Sequence, residues 1–204
     1  MGSGKTTVSK FLSRELKLPL FEEKPQENPF LELFYGDMER WALHSQLSFV
    51  LRRIQQNIRA KSTLPKTGVV HDSPLGQDMV YLKTNQKFGH IKNNESKLVK
   101  DVVALYKPQI ILPDPLIFLD APLSLILERI KGRGRSYEDS VPREYIATLY
   151  KFQKEWMRKY PKDKKIIVPM DKVDIKNEEG KRELRKIIKN YISQPKAGQP
   201  WAEK

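Results

Sequence analysis

An α/β fold, a parallel sheet covered by helices on both faces, is what this sequence predicts. Two observations carry that expectation. Helical and strand patterns alternate along the chain, which implies βαβ crossovers rather than hairpins. Short apolar runs such as Gly68-Val-Val-His-Asp72 and Pro115-Leu-Ile-Phe-Leu-Asp120 end on a polar residue, as buried parallel strands do where they reach a ligand cleft.

Taken in order, Thr6 to Lys17 predicts an amphipathic helix with Val8, Phe11, Leu12 and Leu16 on one stripe. Leu18 to Glu23 is a short strand candidate. A long helix is expected from near Asp37 to about Lys61, turning Trp41, Gln46, Val50, Arg53 and Ile54 to a similar side. The strand at 68–72 is followed by helices near 75–88 and 95–106. The strand at 115–120 precedes a helix from about Leu123 to Lys131, then a basic Gly-rich loop and a helix from about Pro142 to Arg158. Lys165-Ile-Ile-Val168 is the last strand and 178–192 the last helix. Glu23, Asp72 and Asp120 all fall at strand ends and are expected to converge on one cleft. One domain over 1–194 is expected, followed by a disordered Pro/Gly-rich tail at 195–204.

Composition excludes several classes. The chain has 204 residues, 39% of them apolar, with no apolar run near the roughly 18–20 residues that span a bilayer, and no signal peptide pattern. Without cysteine there are no disulfides or thiolate metal sites, in keeping with a cytoplasmic location. The net charge of +13 suits an anionic partner, nucleic acid or a polyphosphate. Many of the lysines and arginines lie on the C-terminal helices, not interleaved with stacking aromatics, so nucleic acid is not the expected partner.

The polyphosphate is indicated at the N-terminus. Gly2, Ser3, Gly4, Lys5, Thr6 and Thr7, followed at once by a helix, form the second half of the pattern G-x-x-x-x-G-K-[ST]. Glycines let backbone N–H groups wrap a β-phosphate, and the helix N-terminus adds positive potential. Lys5 would reach the β/γ oxygens of ATP, and the Thr6 hydroxyl would ligate Mg²⁺. The first glycine of the pattern should precede Gly4 by five positions, beyond the first residue given. The expectation is therefore a P-loop NTPase-type three-layer fold whose first strand is missing.

Four further segments narrow the function. Glu23-Lys-Pro-Gln-Glu-Asn-Pro-Phe-Leu-Glu-Leu-Phe-Tyr35, Arg40-Trp-Ala-Leu-His-Ser-Gln46, Asp72-Ser-Pro-Leu-Gly-Gln-Asp78 and Arg129-Ile-Lys-Gly-Arg-Gly-Arg-Ser-Tyr-Glu138, in this order and spacing, resemble the deoxyribonucleoside kinase family over nearly the whole chain. The resemblance implies transfer of a phosphoryl group from ATP to the 5′-hydroxyl of a deoxyribonucleoside in nucleotide salvage. It implies that Glu23 is the general base, that Tyr35 and Glu138 hold the 3′-hydroxyl, and that Gln46 contacts the nucleobase. A glutamine on an otherwise apolar helix face needs hydrogen-bond partners, which a ligand edge would supply. Arg53, two turns on from Gln46, and Asp78 resemble the combination found in purine-accepting members. Arg129, Arg133 and Arg135 match the lid, about 131–140, that brings guanidinium groups to the transferred phosphoryl. Asp72 would help hold Mg²⁺ through water, and Asp171 and Asp174 fall where the adenine-enclosing loop begins. Trp41 is expected as pocket wall or core, and a homodimer as the assembly.

One departure stands out. Where the family has an acid–Arg–Ser motif, this chain has Asp72-Ser73-Pro74, so Ser73 replaces an arginine that in the family lies by the 5′-hydroxyl and the phosphates. Serine has neither the charge nor the reach of arginine. His71 is a candidate stand-in, and the alternative function is a catalytically weak or silent nucleotide-binding member acting as a partner subunit.

Overall fold

The computed structural model describes residues 1–63, 68–138 and 140–193, so the expected tail lies outside the described residues. In chain order the elements are α1 (Lys5–Leu16), β1 (Leu20–Phe21), α2 (Leu31–Gly36), α3 (Met38–Thr63), β2 (Val70–His71), α4 (Leu75–Lys87), α5 (Asn93–Leu105), β3 (Leu116–Asp120), α6 (Leu123–Arg133), α7 (Arg143–Lys159), β4 (Lys165–Pro169) and α8 (Glu178–Ile192), with short 3₁₀ turns between some of them. Pro74, Pro122 and Pro142 stand at the N-caps of α4, α6 and α7, where a missing N–H costs no helical hydrogen bond. The helix near Leu31 was not expected. Leu31, Phe34 and Tyr35 bury one side of it at the spacing a helix requires.

All strand pairing among the described residues is parallel, as expected of an α/β chain, and it comes in two pieces. β1 pairs with β2 in the register Leu20↔Val70, and β3 pairs with β4 from Leu116↔Lys165 to Asp120↔Pro169. A cavity of about 610 Å³ lies between the two pieces, lined by Val70 and His71 of β2, the whole of β3, and Val8 and Leu12 of α1. With so few ladder partners, the strand candidates at 18–23 and 68–72 shrink to two residues each.

The main core is built where α3 packs on α2, α4 and α5, and α4 on α7, around buried Val50, Ile54, Leu82, Val99 and Tyr145, and a smaller cluster of Leu116, Phe118 and Met157 joins β3 to α7. This packing fixes what matters for the site. It sets the carboxyl ends of β1 and β2 beside the start of α1, and lays one face of α3 and of α4 over them. Among the described residues no helix is long and apolar enough to cross a membrane.

Candidate active site

The turn before α1 is built for a close approach of backbone to a ligand. Gly2 and Gly4 take φ of 65° and 91°, left-handed values that side chains rarely adopt. A Cβ on Gly2 would also sit 2.8 Å from the Ile126 carbonyl of α6. Gly2, Ser3, Gly4, Lys5, Thr6 and Thr7 together form one wall of a cavity of about 860 Å³.

The other walls bring in the residues singled out from the sequence. Glu23 arrives from just beyond β1, Tyr35 from α2, Gln46 from α3 and Asp78 from α4. Arg129 and Arg133 come from α6, and Arg135 and Glu138 from the turn after it. Segments more than 100 residues apart thus meet around one space.

Its electrostatics centre on Arg53, which is buried to 3% exposure in the middle of α3. Nε donates to Asp78 Oδ2 at 2.9 Å and Nη2 to Asp78 Oδ1 at 3.3 Å; Nη2 also donates to Glu23 Oε1 at 2.9 Å. Burial opposes its charge, but Asp78 and Glu23 outweigh that and hold its pKa above the usual arginine value. Burial likewise opposes the charge on Glu23. The Arg53 and Lys5 charges and hydrogen bonds from Arg53 and Ser73 overcome it and bring Glu23 down to about 2. For Asp78, burial wins and its pKa is raised. Gln46 Nε2 donates to the Asp78 carbonyl at 2.9 Å, which orients its amide at the cavity wall.

Asp72 lies at the end of β2 and accepts a hydrogen bond from Thr6 Oγ1 at 2.7 Å. Its second oxygen, Oδ1, is buried with no hydrogen bond of normal length, and burial raises its pKa. A buried carboxylate oxygen with an open lone pair, next to a hydroxyl on the phosphate turn, suits a hard cation that keeps most of its water. Glu138 is buried and ion-paired with Arg133 (Nη2–Oε1 2.6 Å) and, at 3.6 Å, with Arg135. Arg129 bridges the Ser3 and Met170 carbonyls at 3.5 Å, tying α6 to the phosphate turn. The Tyr35 ring stacks on Tyr137 at 5.6 Å, its hydroxyl donates to Met1 Sδ at 3.7 Å, and burial pushes its pKa up.

Several sequence expectations are corrected. Of the three strand-end acids only Glu23 lines the cleft: Asp72 lines the inter-sheet cavity and meets the cleft through its bond from Thr6, and Asp120 lies on that same side, paired with Lys154 of α7 at 2.6 Å. His71 cannot stand in for the missing arginine. It stacks on Phe21 at 5.1 Å with Nε2 buried and unpartnered, and burial lowers its pKa to about 4, so it is neutral at pH 7. Arg53 is the cation bonded to Glu23, but it belongs to the expected Arg53–Asp78 combination and is no replacement for the missing arginine. Trp41, expected as pocket wall or core, takes the second place: it packs against the core beside Phe30 and His44. Asp174 does reach it, and its Oδ1 also accepts from the Lys176 N–H in a turn. Asp171 is exposed and outside the lining. The sequence reading missed Gln77, Tyr81 and Asn85 of α4, which also line the cavity. Their i, i+4, i+8 spacing, one residue from Asp78, was the available signal.

Known proteins resemble this chain over nearly its whole length. The family model described as deoxynucleoside kinase matches residues 1–193. A deoxyadenosine kinase from Lactobacillus acidophilus is 29% identical, covering 92% of this chain and 91% of that one. A deoxyadenosine/deoxycytidine kinase from Bacillus subtilis is 28% identical, covering 95% and 87%. Among solved structures, the deoxyadenosine kinase of M. mycoides with bound dATP superposes with a TM-score of 0.79 at 25% identity, over 93% of this chain and 95% of that one. The phosphate turn, the clustered carboxylates and arginines, and a match over nearly the full length agree: the chain belongs to the deoxynucleoside kinase family and is a phosphotransferase.

Proposed function

We propose that the chain transfers the γ-phosphoryl group of ATP to the 5′-hydroxyl of a purine deoxyribonucleoside, deoxyadenosine or deoxyguanosine. The observation that carries this is the single cavity of about 860 Å³ in which the glycine turn with Lys5 faces Glu23, Gln46 and Asp78. Phosphoryl transfer asks mainly for positioning and charge neutralisation. Backbone N–H groups of Gly2 to Thr7 and the Lys5 ammonium hold the phosphates. Arg129, Arg133 and Arg135 supply guanidinium groups along the path of the transferred group. Glu23 accepts the hydrogen bond of the 5′-hydroxyl and takes its proton as the bond to phosphorus forms. Its low pKa keeps it ionised at neutral pH, and the modest basicity suffices where the proton leaves late. Tyr35 and Glu138 hold the 3′-hydroxyl, and Gln46 offers its amide to the base, with Arg53 and Asp78 shaping the pocket for a purine.

Thr6 and, through water, Asp72 would hold Mg²⁺, which the open Oδ1 of Asp72 suits. Its role when bound is to neutralise charge on the phosphates. The purine preference is supported by the names of the relatives, which include deoxyguanosine and deoxyadenosine kinases. Within this proposal the enzyme serves nucleotide salvage in the cytoplasm and works as a homodimer.

The test is incubation with labelled ATP, Mg²⁺ and each of the four deoxynucleosides in turn. The expected product is a deoxynucleoside 5′-monophosphate, formed fastest from a purine. No product from any of the four would favour the silent-subunit alternative, for which the serine at position 73 is the motivating observation.

A further inference from the structure

Ser73 sits between β2 and Pro74, the N-cap of α4, and is 1% exposed. Its backbone is held in place from both sides: the Asp72 N–H continues the ladder to the Phe21 carbonyl, and Pro74 restricts the residue before it. Its hydroxyl donates to Glu23 Oε2 at 3.0 Å, while Arg53 donates to Oε1 of the same carboxylate at 2.9 Å. Each oxygen of Glu23 therefore has its own donor, coming from a different element.

We propose that Ser73 is a positioning residue, which with Arg53 clamps the Glu23 carboxylate in one rotamer so that its remaining lone pairs face the 5′-hydroxyl of the nucleoside. One donor alone leaves the carboxylate free to turn about its last torsion, which is broad for glutamate. Two donors on opposite oxygens remove that freedom. The neighbouring Asp72 accepts from Thr6 at the phosphate turn, so one dipeptide ties the sugar side of the site to the phosphate side. Serine at this position then has a role of its own: Arg53 of α3 gives a charged donor to one oxygen of Glu23, and Ser73 a short neutral donor to the other.

This inference rests on the proposed role of Glu23, and the experiment separates the two. Dissociation constants are measured calorimetrically for 2′-deoxyadenosine and for its analogue lacking the 5′-hydroxyl, in wild type, Glu23→Gln, Ser73→Ala and Ser73→Cys. Cysteine keeps the shape of serine but is a weak donor, so it covers the case in which alanine unfolds the protein. Wild type should prefer the hydroxylated ligand, and Glu23→Gln and both Ser73 variants should lose about ten- to a hundredfold of that preference, the range for a hydrogen bond to a charged group. Affinity for the analogue should stay unchanged, and in turnover kcat should fall by a similar factor with KM moving less. If Glu23→Gln loses the preference while both Ser73 variants keep it, the positioning role is overturned and the role of Glu23 stands. If Glu23→Gln also keeps it, both are overturned.

Discussion

Replacing Arg53 with methionine isolates the buried charge cluster, because methionine retains the apolar stem and removes the guanidinium. Three hydrogen bonds to two carboxylates are lost together. Breaking a buried ion pair by removing one partner costs about 3–5 kcal/mol, since the other charge stays behind. The structure sets an upper limit on the Asp78 share. Asp78 can escape by taking up a proton, and from an ordinary pKa near 3.9 that costs about 4 kcal/mol at pH 7 and about 1.5 at pH 5. Glu23, with 19% of its side chain exposed, recovers part of its loss by rehydration. The expected deficit is therefore about 4 kcal/mol at pH 7, a fall in Tm of about 8–16 °C for a chain of this size, shrinking to about half or less at pH 5. In the wild type Glu23 barely shifts the baseline over that window, while Asp78, raised by burial, returns a little stability as pH falls and so offsets a small part of the shrinkage. The folded pKa of Glu23 is depressed, so its contribution is intact above the unfolded value and is lost only as pH falls towards about 2. Urea unfolding followed by circular dichroism at pH 7 and pH 5 measures both numbers. A loss under about 1 kcal/mol at pH 7, or one that does not shrink at pH 5, would refute the uncompensated-charge account. So would failure of Asp78→Asn to restore stability in the Arg53→Met background.

Three further outcomes concern chemistry. Lys5→Ala should abolish phosphoryl transfer with the far-ultraviolet circular dichroism unchanged; wild-type turnover would move the phosphate site elsewhere. Thr6→Ala should raise the Mg²⁺ concentration for half-maximal rate by about tenfold or more, and an unaltered Mg²⁺ dependence would take Thr6 out of the metal site. Comparing kcat/KM across the four deoxynucleosides should place deoxyadenosine or deoxyguanosine first, and Gln46→Leu should lower that value about ten- to a hundredfold. A clear preference for thymidine would sink the purine assignment and spare the kinase.

Legibility varied with the range of the forces involved. Helices with a continuous apolar stripe were found within a few residues, as for α1, where Val8 and Leu12 are buried, and for α8. The helix at Leu31–Gly36 was missed because six residues are too few for periodicity to show, and tertiary burial of Phe34 and Tyr35 creates it. Most of the candidate site was readable because motif spacing survives in one dimension. The double engagement of Arg53 was not readable, since Glu23 and Asp78 lie 30 and 25 residues away on different elements. Nor was the fate of Asp120 or His71. A strand-end acid and a strand histidine look the same in sequence whether they face a cleft, a lysine or a phenylalanine.

The division of the strands into two pairs has a consequence for how protection against solvent exchange is distributed. In a parallel strand, N–H groups point alternately to one neighbour and the other. Among the described residues β3 pairs only with β4, and its other edge borders the inter-sheet cavity. Deuterium uptake along Leu116 to Asp120 should therefore alternate, slow at amides bonded to β4 and fast at those facing the cavity, within one five-residue strand. The two pairs share no ladder among the described residues, and the packing around them is chiefly helix on helix, α4 on α7 and α3 on α2 and α4. Global opening is then governed by side-chain contacts between helices, so the slowest-exchanging amides belong in α3 and α4, not at the centre of a sheet.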